Sequence, residues 1–198
     1  MSTMQTARTV GKGEFGVGFG GGTVNSEIAL GDADTIDVSA PFLEVGARYG
    51  VTEKLDLGLK LTLIGTSVLD AKYQFIGDGE SKFAGSVGLG AGYLGISSGD
   101  ARTNIVDIIV PTYFSFHPNQ WISLYASPKY ILRINSYETV DQNDMTVNDS
   151  QSSSWYGATG GIRLGKRVAF LAEYSYFANS LDIAPLGQIT AGIAIGIR

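Results

Sequence analysis

The sequence predicts an all-β protein, an up-and-down antiparallel transmembrane β-barrel of about ten strands. Three observations carry this. Apolar and polar residues alternate with period two in one segment after another, which is the pattern of strands and not of helices. The apolar faces hold for about ten residues, the length a tilted strand needs to cross a bilayer, and no run approaches the eighteen or so of a membrane helix. Finally, long polar connections alternate with short turns along the chain.

Residues 42–63, PFLEVGARYGVTEKLDLGLKLTL from Pro41 on, show the rule most clearly. Leu43, Val45, Ala47 and Tyr49 alternate with Glu44, Gly46, Arg48 and Gly50. After the break at Thr52, Glu53 and Lys54, Leu55, Leu57, Leu59, Leu61 and Leu63 alternate with Asp56, Gly58, Lys60 and Thr62. The two runs predict a hairpin with a tight turn.

The other elements follow in order. Residues 1–11 read as a polar tail and 12–198 as the barrel. A first strand at 12–20 sets Phe15, Val17 and Phe19 against Glu14, Gly16 and Gly18, and a loop rich in Gly, Asp and Asn follows to about 38. Beyond the hairpin, Leu69, Ala71, Tyr73 and Phe75 oppose Asp70, Lys72 and Gln74, with a turn at Gly77-Asp78-Gly79. A fifth strand sets Phe83, Val87, Leu89 and Tyr93 against small residues. A sixth, 105–116, points Val106, Ile108, Val110, Phe114 and Phe116 outward and Asp107 inward, and Pro111 within it predicts a bulge. The seventh points Leu124, Ala126, Tyr130 and Leu132 away from Ser123, Tyr125, Lys129 and Arg133, and its Pro128 raises the same question. Residues 136–154 have the composition of a solvated loop. Three strands close the count: one about 155–165 carrying Arg163 inward, one at 168–176 carrying Glu173 inward, and one at 189–197.

The segment RYGVTEKLDLGLKL resembles the hairpins of small bacterial outer-membrane β-barrel proteins, with an aromatic before the short turn and alternating Leu after it. The opening STMQTARTVGKGE also resembles the start of a mature lipoprotein whose lipidated Cys is replaced by Met1. With no apolar leader after Met1, the chain reads as a mature form given a start Met. The resemblance implies a bacterial outer membrane, both termini periplasmic, and a monomer in contact with lipid, including the lipopolysaccharide leaflet. The connections fit it. Those near 21–37, 96–104, 136–154 and 179–187 are long, those near 50–54, 77–81, 117–120 and 165–167 are short, and only 65–68 breaks the alternation. Tyr49, Phe75, Phe83, Phe116, Trp121 and Phe170 fall beside short turns, and Phe19, Tyr93, Tyr156, Tyr174 and Tyr176 beside long loops, as two interfacial belts require.

Composition narrows the function. A net charge of -5 argues against nucleic acid, which needs a concentrated basic surface. The absence of Cys excludes disulfides, thiolate catalysis and Cys-based metal sites. Two G-x-G-x-x-G runs, starting at Gly16 and Gly90, lack the following helix a dinucleotide needs, so no cofactor is expected. Asp141, Asn143, Asp144, Asn148 and Asp149 offer oxygen ligands but lack the Gly and closing Glu of a calcium loop. The single histidine, His117, falls in a short turn away from the long-loop rim, and the loop acids Asp32 and Asp34 have no companion set, so an enzyme is not expected.

The remaining constellation is the inward face: Glu14, Glu44, Arg48, Asp56, Lys60, Asp70, Lys72, Asp107, Lys129, Arg133, Arg163 and Glu173. Charges of both signs inside a narrow barrel must pair or be hydrated. They either form a network that plugs the lumen or line a narrow pathway for ions and small solutes. The expected function is thus a structural barrel or narrow channel, with a binding protein or adhesin acting through the loops 21–37 and 136–154 as the alternative.

Overall fold

The computed structural model describes residues 2–29, 35–63, 65–98, 101–140, 146–181 and 184–196. It contains ten strands: β1 Phe15–Ala29, β2 Thr35–Gly50, β3 Leu55–Thr62, β4 Ser67–Ile76, β5 Phe83–Ser98, β6 Ala101–Phe116, β7 Ile122–Val140, β8 Thr146–Gly165, β9 Val168–Asn179 and β10 Leu186–Ile195. Each pairs antiparallel with its neighbours in sequence, and β1 pairs with β10 through Val17↔Ile195 to Ser26↔Leu186, so the sheet closes on itself. Closure satisfies both edges of every strand at bilayer depth.

The period-two alternation becomes inside and outside. On β9, residues alternate from Val168 to Asn179 between exposed and buried almost without exception. The exposed set is apolar: Leu57, Leu59 and Leu61 on β3, Leu69 on β4, Leu89 on β5, Ile108 and Val110 on β6. A soluble protein would hide such a surface; here it forms a continuous lipid-facing band. Leu59→Arg, mid-strand on this band, is expected to cost about 2–4 kcal/mol of folding stability, the midplane penalty for a cation, measurable by urea unfolding in lipid vesicles.

Aromatic pairs mark the short-turn end. Phe15 lies 5.1 Å from Tyr49 and Phe83 stacks on Phe116 at 4.7 Å, while Lys166 sits over Trp121 at 5.6 Å. Tyr49, Phe75, Phe83, Phe116, Trp121 and Phe170 are exposed there, and Tyr93, Tyr174 and Tyr176 are exposed on the opposite halves of their strands, with Tyr156 exposed at the middle of β8. Phe19 does not belong with the second group. Since β1 runs on to Ala29, Phe19 lies in its first third, nearer the short turns.

The long loops of the sequence reading are mostly strand. β1 and β2 pair from Phe15↔Tyr49 to Ala29↔Thr35, and β7 and β8 pair from Ile122↔Leu164 to Val140↔Thr146, through the segment 136–154 read as loop. Beyond the bilayer neither face needs to be apolar, so backbone pairing continues while the alternation disappears. Asp32, Asp34, Asp141, Asn143 and Asp144 lie outside the described residues, as do Met1 and Ile197.

The predicted bulge at Pro111 is not formed. Val87↔Thr112 and Gly90↔Ile109 keep one register across it, as do Pro111↔Lys129 and Phe114↔Ala126 on its other side. The ladder forgoes the missing donor, and the inward ring finds room because residue 88 is glycine: a Cβ there would stand 3.0 Å from Pro111 Cγ. Pro128 likewise sits in unbroken register opposite Ala158. A register shift falls instead between Gln74 and Ile76, where β4 meets β5.

The rim is uneven. β3 ends at Thr62 and β4 begins at Ser67, so the upper part of β2 has β1 but not β3 beside it, and the upper part of β5 has β6 but not β4. A notch results between β2 and β5, flanked by taller hairpins.

Candidate functional site: a stoppered lumen

The inward charges are organised by register. Asp56 on β3 faces Lys72 on β4, and Gly58 stands between Arg48 on β2 and Asp70 on β4. Arg48 donates through Nε and Nη2 to Asp56 Oδ1 at 2.9 and 2.6 Å, and through Nη2 and Nη1 to Asp70 at 2.6 and 3.3 Å. Lys72 Nζ completes the cluster 3.5 Å from Asp56 Oδ2. Two cations thus face two carboxylates, with Asp56 and Lys72 fully buried. Gly58 is what makes room: a Cβ there would lie 2.5 Å from Arg48 Nη1.

Higher on the opposite wall, Arg133 and Asp107 form a two-pronged cross-strand pair at 2.8 Å, with the guanidinium 5.7 Å from the Trp155 ring. Lys60 Nζ lies 3.7 Å from Glu44 Oε2, and Lys129 Nζ lies 5.9 Å from the Phe177 ring. At the short-turn end Arg163 donates to the Gly165 and Lys166 carbonyls at 2.6 and 2.5 Å, bracing the β8–β9 turn. Glu14 stands apart. It precedes β1 at the rim and is exposed, so it does not line the lumen; the strand starts at Phe15, and alternation before that point has no inside.

The tail of the sequence reading lies inside the barrel. Residues 2–7 and 9–11 are buried, and the segment leaves at the short-turn end, where Gly13 donates to the Gly50 carbonyl at 2.8 Å. Its bonds go to the same inward groups. Glu173 accepts the Thr3 and Met4 amides and the Tyr125 hydroxyl. Met4 has a φ of 49°, the left-handed turn by which successive amides converge on one anion. Lys72 Nζ donates to Gln5 Oε1 and to the Thr6 and Arg8 carbonyls at 2.9, 3.2 and 2.8 Å. Gln74 Oε1 accepts from Thr9 N at 3.0 Å, Asp56 Oδ2 from Val10 N at 3.3 Å, and Lys60 donates to Ser2 O at 2.8 Å. Ser2 also donates to Glu44, and Ser86 to the Ala7 carbonyl.

Apolar side chains seat the same segment. Met4 and Val10 pack with Tyr125, Leu171 and Ala194, and Ala7 with Ala84 and Tyr113. Met4 occupies a gap left by two glycines: a Cβ on Gly192 would fall 2.1 Å from its Cε, and one on Gly20 would fall 3.0 Å away. Sequence reasoning missed this stopper. The one local signal was Met4, Ala7 and Val10, an apolar residue at every third position of an otherwise polar run.

Above the stopper the lumen changes character. Ile109, Ile131, Trp155 and Phe177 form a buried apolar cluster, with Val68 and Leu186 packed on it, next to a cavity of about 350 Å³. The lower half is a polar joint and the upper half an apolar cup.

The barrel superposes on the outer membrane protease OmpT from Escherichia coli with a TM-score of 0.54 at 11% identity, covering 92% of this chain and 95% of that one. The chain shares the closed antiparallel β-barrel fold of that outer-membrane protein. Neisserial surface protein A matches with a TM-score of 0.46 at 14% identity over 92% and 96% of the two chains. The Yersinia pestis attachment invasion locus protein Ail matches with 0.38 at 16% identity over 92% and 98%. No protein-family model and no curated sequence matches the chain. At these identities the likeness concerns the fold.

His117 belongs to the joint. It is buried just past β6, with Nε2 2.8 Å from Ser115 Oγ and Nδ1 2.7 Å from Ser123 Oγ, and Ser115 Oγ accepts the Ala7 amide. Burial, reinforced by Arg8 and Arg163, pushes its pKa down to about 4. The unfolded chain therefore takes the proton first. Stability from this site is complete above the ordinary value near 6.5 and falls as pH drops toward 4. Lowering pH from 7 to 4 is expected to remove about 2 kcal/mol more from the parent than from His117→Gln, read as the difference between two urea titrations.

Proposed function

We propose that the protein is an outer-membrane barrel closed to through-flow at rest, whose working end is the mouth formed by the long hairpins, where it acts as a surface binding protein. The observation that carries this reading is the stopper: residues 2–11 fill the short-turn half of the lumen and engage its charges. A pore needs those charges hydrated along a continuous path, whereas here Lys72, Asp56 and Glu173 spend their bonding capacity on the chain itself. The termini and short turns are then periplasmic, the long hairpins face outward, and the barrel sits in lipid as a monomer. The reading includes no catalytic role, since the inward carboxylates are held by cations and amides.

Two measurements test it. The chain has no Cys, so single introduced cysteines report cleanly. On whole cells, Ser150→Cys at the long-hairpin end should react with a membrane-impermeant maleimide and Glu80→Cys at a short turn should not; the reverse pattern overturns the orientation. In planar bilayers the inserted parent should give no discrete current steps, and regular steps would restore the channel reading.

A further inference from the structure

The cavity above the stopper is electrically balanced as well as apolar. Ion pairs account for the charge around it: Arg48 is shared by Asp56 and Asp70, Lys72 sits beside Asp56, Lys60 beside Glu44 and Arg133 beside Asp107. Lys129 lies in the field of Glu173. These five bases and five acids leave no surplus of either sign, so a charged occupant would lose its hydration without gaining an uncommitted counter-charge. The lining itself is mostly apolar, with Val68, Leu94, Ile109, Phe177 and Leu186 prominent in it. A cavity of about 350 Å³ lined in this way is poorly hydrated and favours apolar contents.

One polar atom of the lining is left over. Thr3 of the stopper borders the cavity and is buried, and its Oγ1 has no hydrogen-bond partner among the described residues. Its amide is already committed to Glu173. A buried hydroxyl without a partner is costly, and a single oxygen on an otherwise apolar molecule relieves that cost.

The notch brings the cavity within reach of lipid. Thr62 at the end of β3 and Thr66 just before β4 line the cavity, as do Phe42 on β2 and Leu94 on β5, which flank the gap. The outer face around the notch is apolar: Leu61, Leu63, Leu43 and Ile96 are all exposed. Leu43 and Ile96 stand beyond the last pairs with β3 and β4, Glu44↔Thr62 and Ser67↔Tyr93, so the apolar surface continues past the point where those two strands stop. A molecule dissolved in the hydrocarbon layer therefore meets the cavity sideways.

We infer that the lumen above the stopper binds an uncharged lipophile carrying one hydroxyl or carbonyl oxygen, with the oxygen at Thr3 Oγ1 and the hydrocarbon along Ile109 and Phe177. The inference rests on the reading of the lumen as closed at its short-turn end, since the stopper supplies the floor.

The test is photo-crosslinking of the intact protein in phosphatidylcholine nanodiscs with a trace of a diazirine-bearing dodecanol, the adducts assigned by mass spectrometry. Adducts are expected on inward residues, foremost Ile109 and Phe177. Dodecanol should displace the probe about fivefold better than dodecane, the contribution of one hydrogen bond, whereas dodecanesulfonate and dodecyltrimethylammonium should leave it in place. Thr3→Val, which keeps the shape and removes the hydroxyl, should bring dodecanol down to the level of dodecane. Val68→Trp, which fills the cup, should abolish lumen labelling while heat-modifiable gel migration stays intact. Labels confined to outward residues such as Leu59, Leu69 and Leu89 would overturn the inference. So would displacement by either charged analogue as strong as that by dodecanol, a dodecanol advantage that survives Thr3→Val, or lumen labelling that survives Val68→Trp. Each of these outcomes leaves the closed barrel standing if the parent stays silent in planar bilayers; current from the parent removes that reading instead.

Discussion

Deleting residues 2–10 is expected to convert a silent barrel into a conducting one, with discrete, salt-dependent current steps in planar bilayers. The segment has no role in closing the sheet, which is completed by the β1–β10 pairing from Val17 onward. Its removal leaves the wall standing and exposes Lys72, Asp56, Gln74 and Glu173 to water, groups that at present bond to the stopper. Hydrated charges of both signs at the former joint should make the current sensitive to ionic strength. Some stability goes with it, since each lost hydrogen bond contributes about 1 kcal/mol net, so the shortened chain should also unfold at lower urea. Silence from a demonstrably inserted deletion variant would mean that the upper apolar cluster closes the lumen alone.

Arg48→Ala is expected to be among the most damaging single substitutions in the wall, costing about 3–5 kcal/mol of folding stability by urea titration in lipid vesicles. Arg48 is nine-tenths buried and is shared by two carboxylates; without it Asp56 and Asp70 face each other with Lys72 alone between them. Removing the charge of one partner should recover part of the loss. The double variant Arg48→Ala with Asp70→Asn is therefore expected to be more stable than Arg48→Ala, a non-additivity that a purely local packing effect would not produce. Equal stability of the two would show that the cluster contributes through shape and not through charge.

Much of the wall was legible because lipid imposes a rule on every second residue. Leu57, Leu59 and Leu61 could face only outward, which fixed Asp56, Lys60 and their neighbours inward before any contact was known. Legibility stopped where lipid stops. In 136–140 and 146–154 the same antiparallel ladder continues, yet Ser, Asn and Asp fall on both faces of the strands and leave no periodic trace. The stopper was hidden for a different reason. Its partners are remote in sequence, Thr3 with Glu173 and Ala7 with Ser115, so nothing within a short window announces them. The inward face posed the question of plug or pathway, and the contacts that bear on it are made by ten residues that strand periodicity does not govern.

The stopper also implies an order of events. It touches β3, β4, β5, β6 and β9 at the same time, through Asp56, Lys72, Ser86, Ser115 and Glu173. A half-built sheet holds these groups far apart and offers the segment no seat. Only when the cylinder is nearly complete do they converge, so the first residues of the chain are among the last to settle. The N-terminal segment thereby depends on the finished wall: its full set of bonds forms only in a barrel where these five strands have arrived in register.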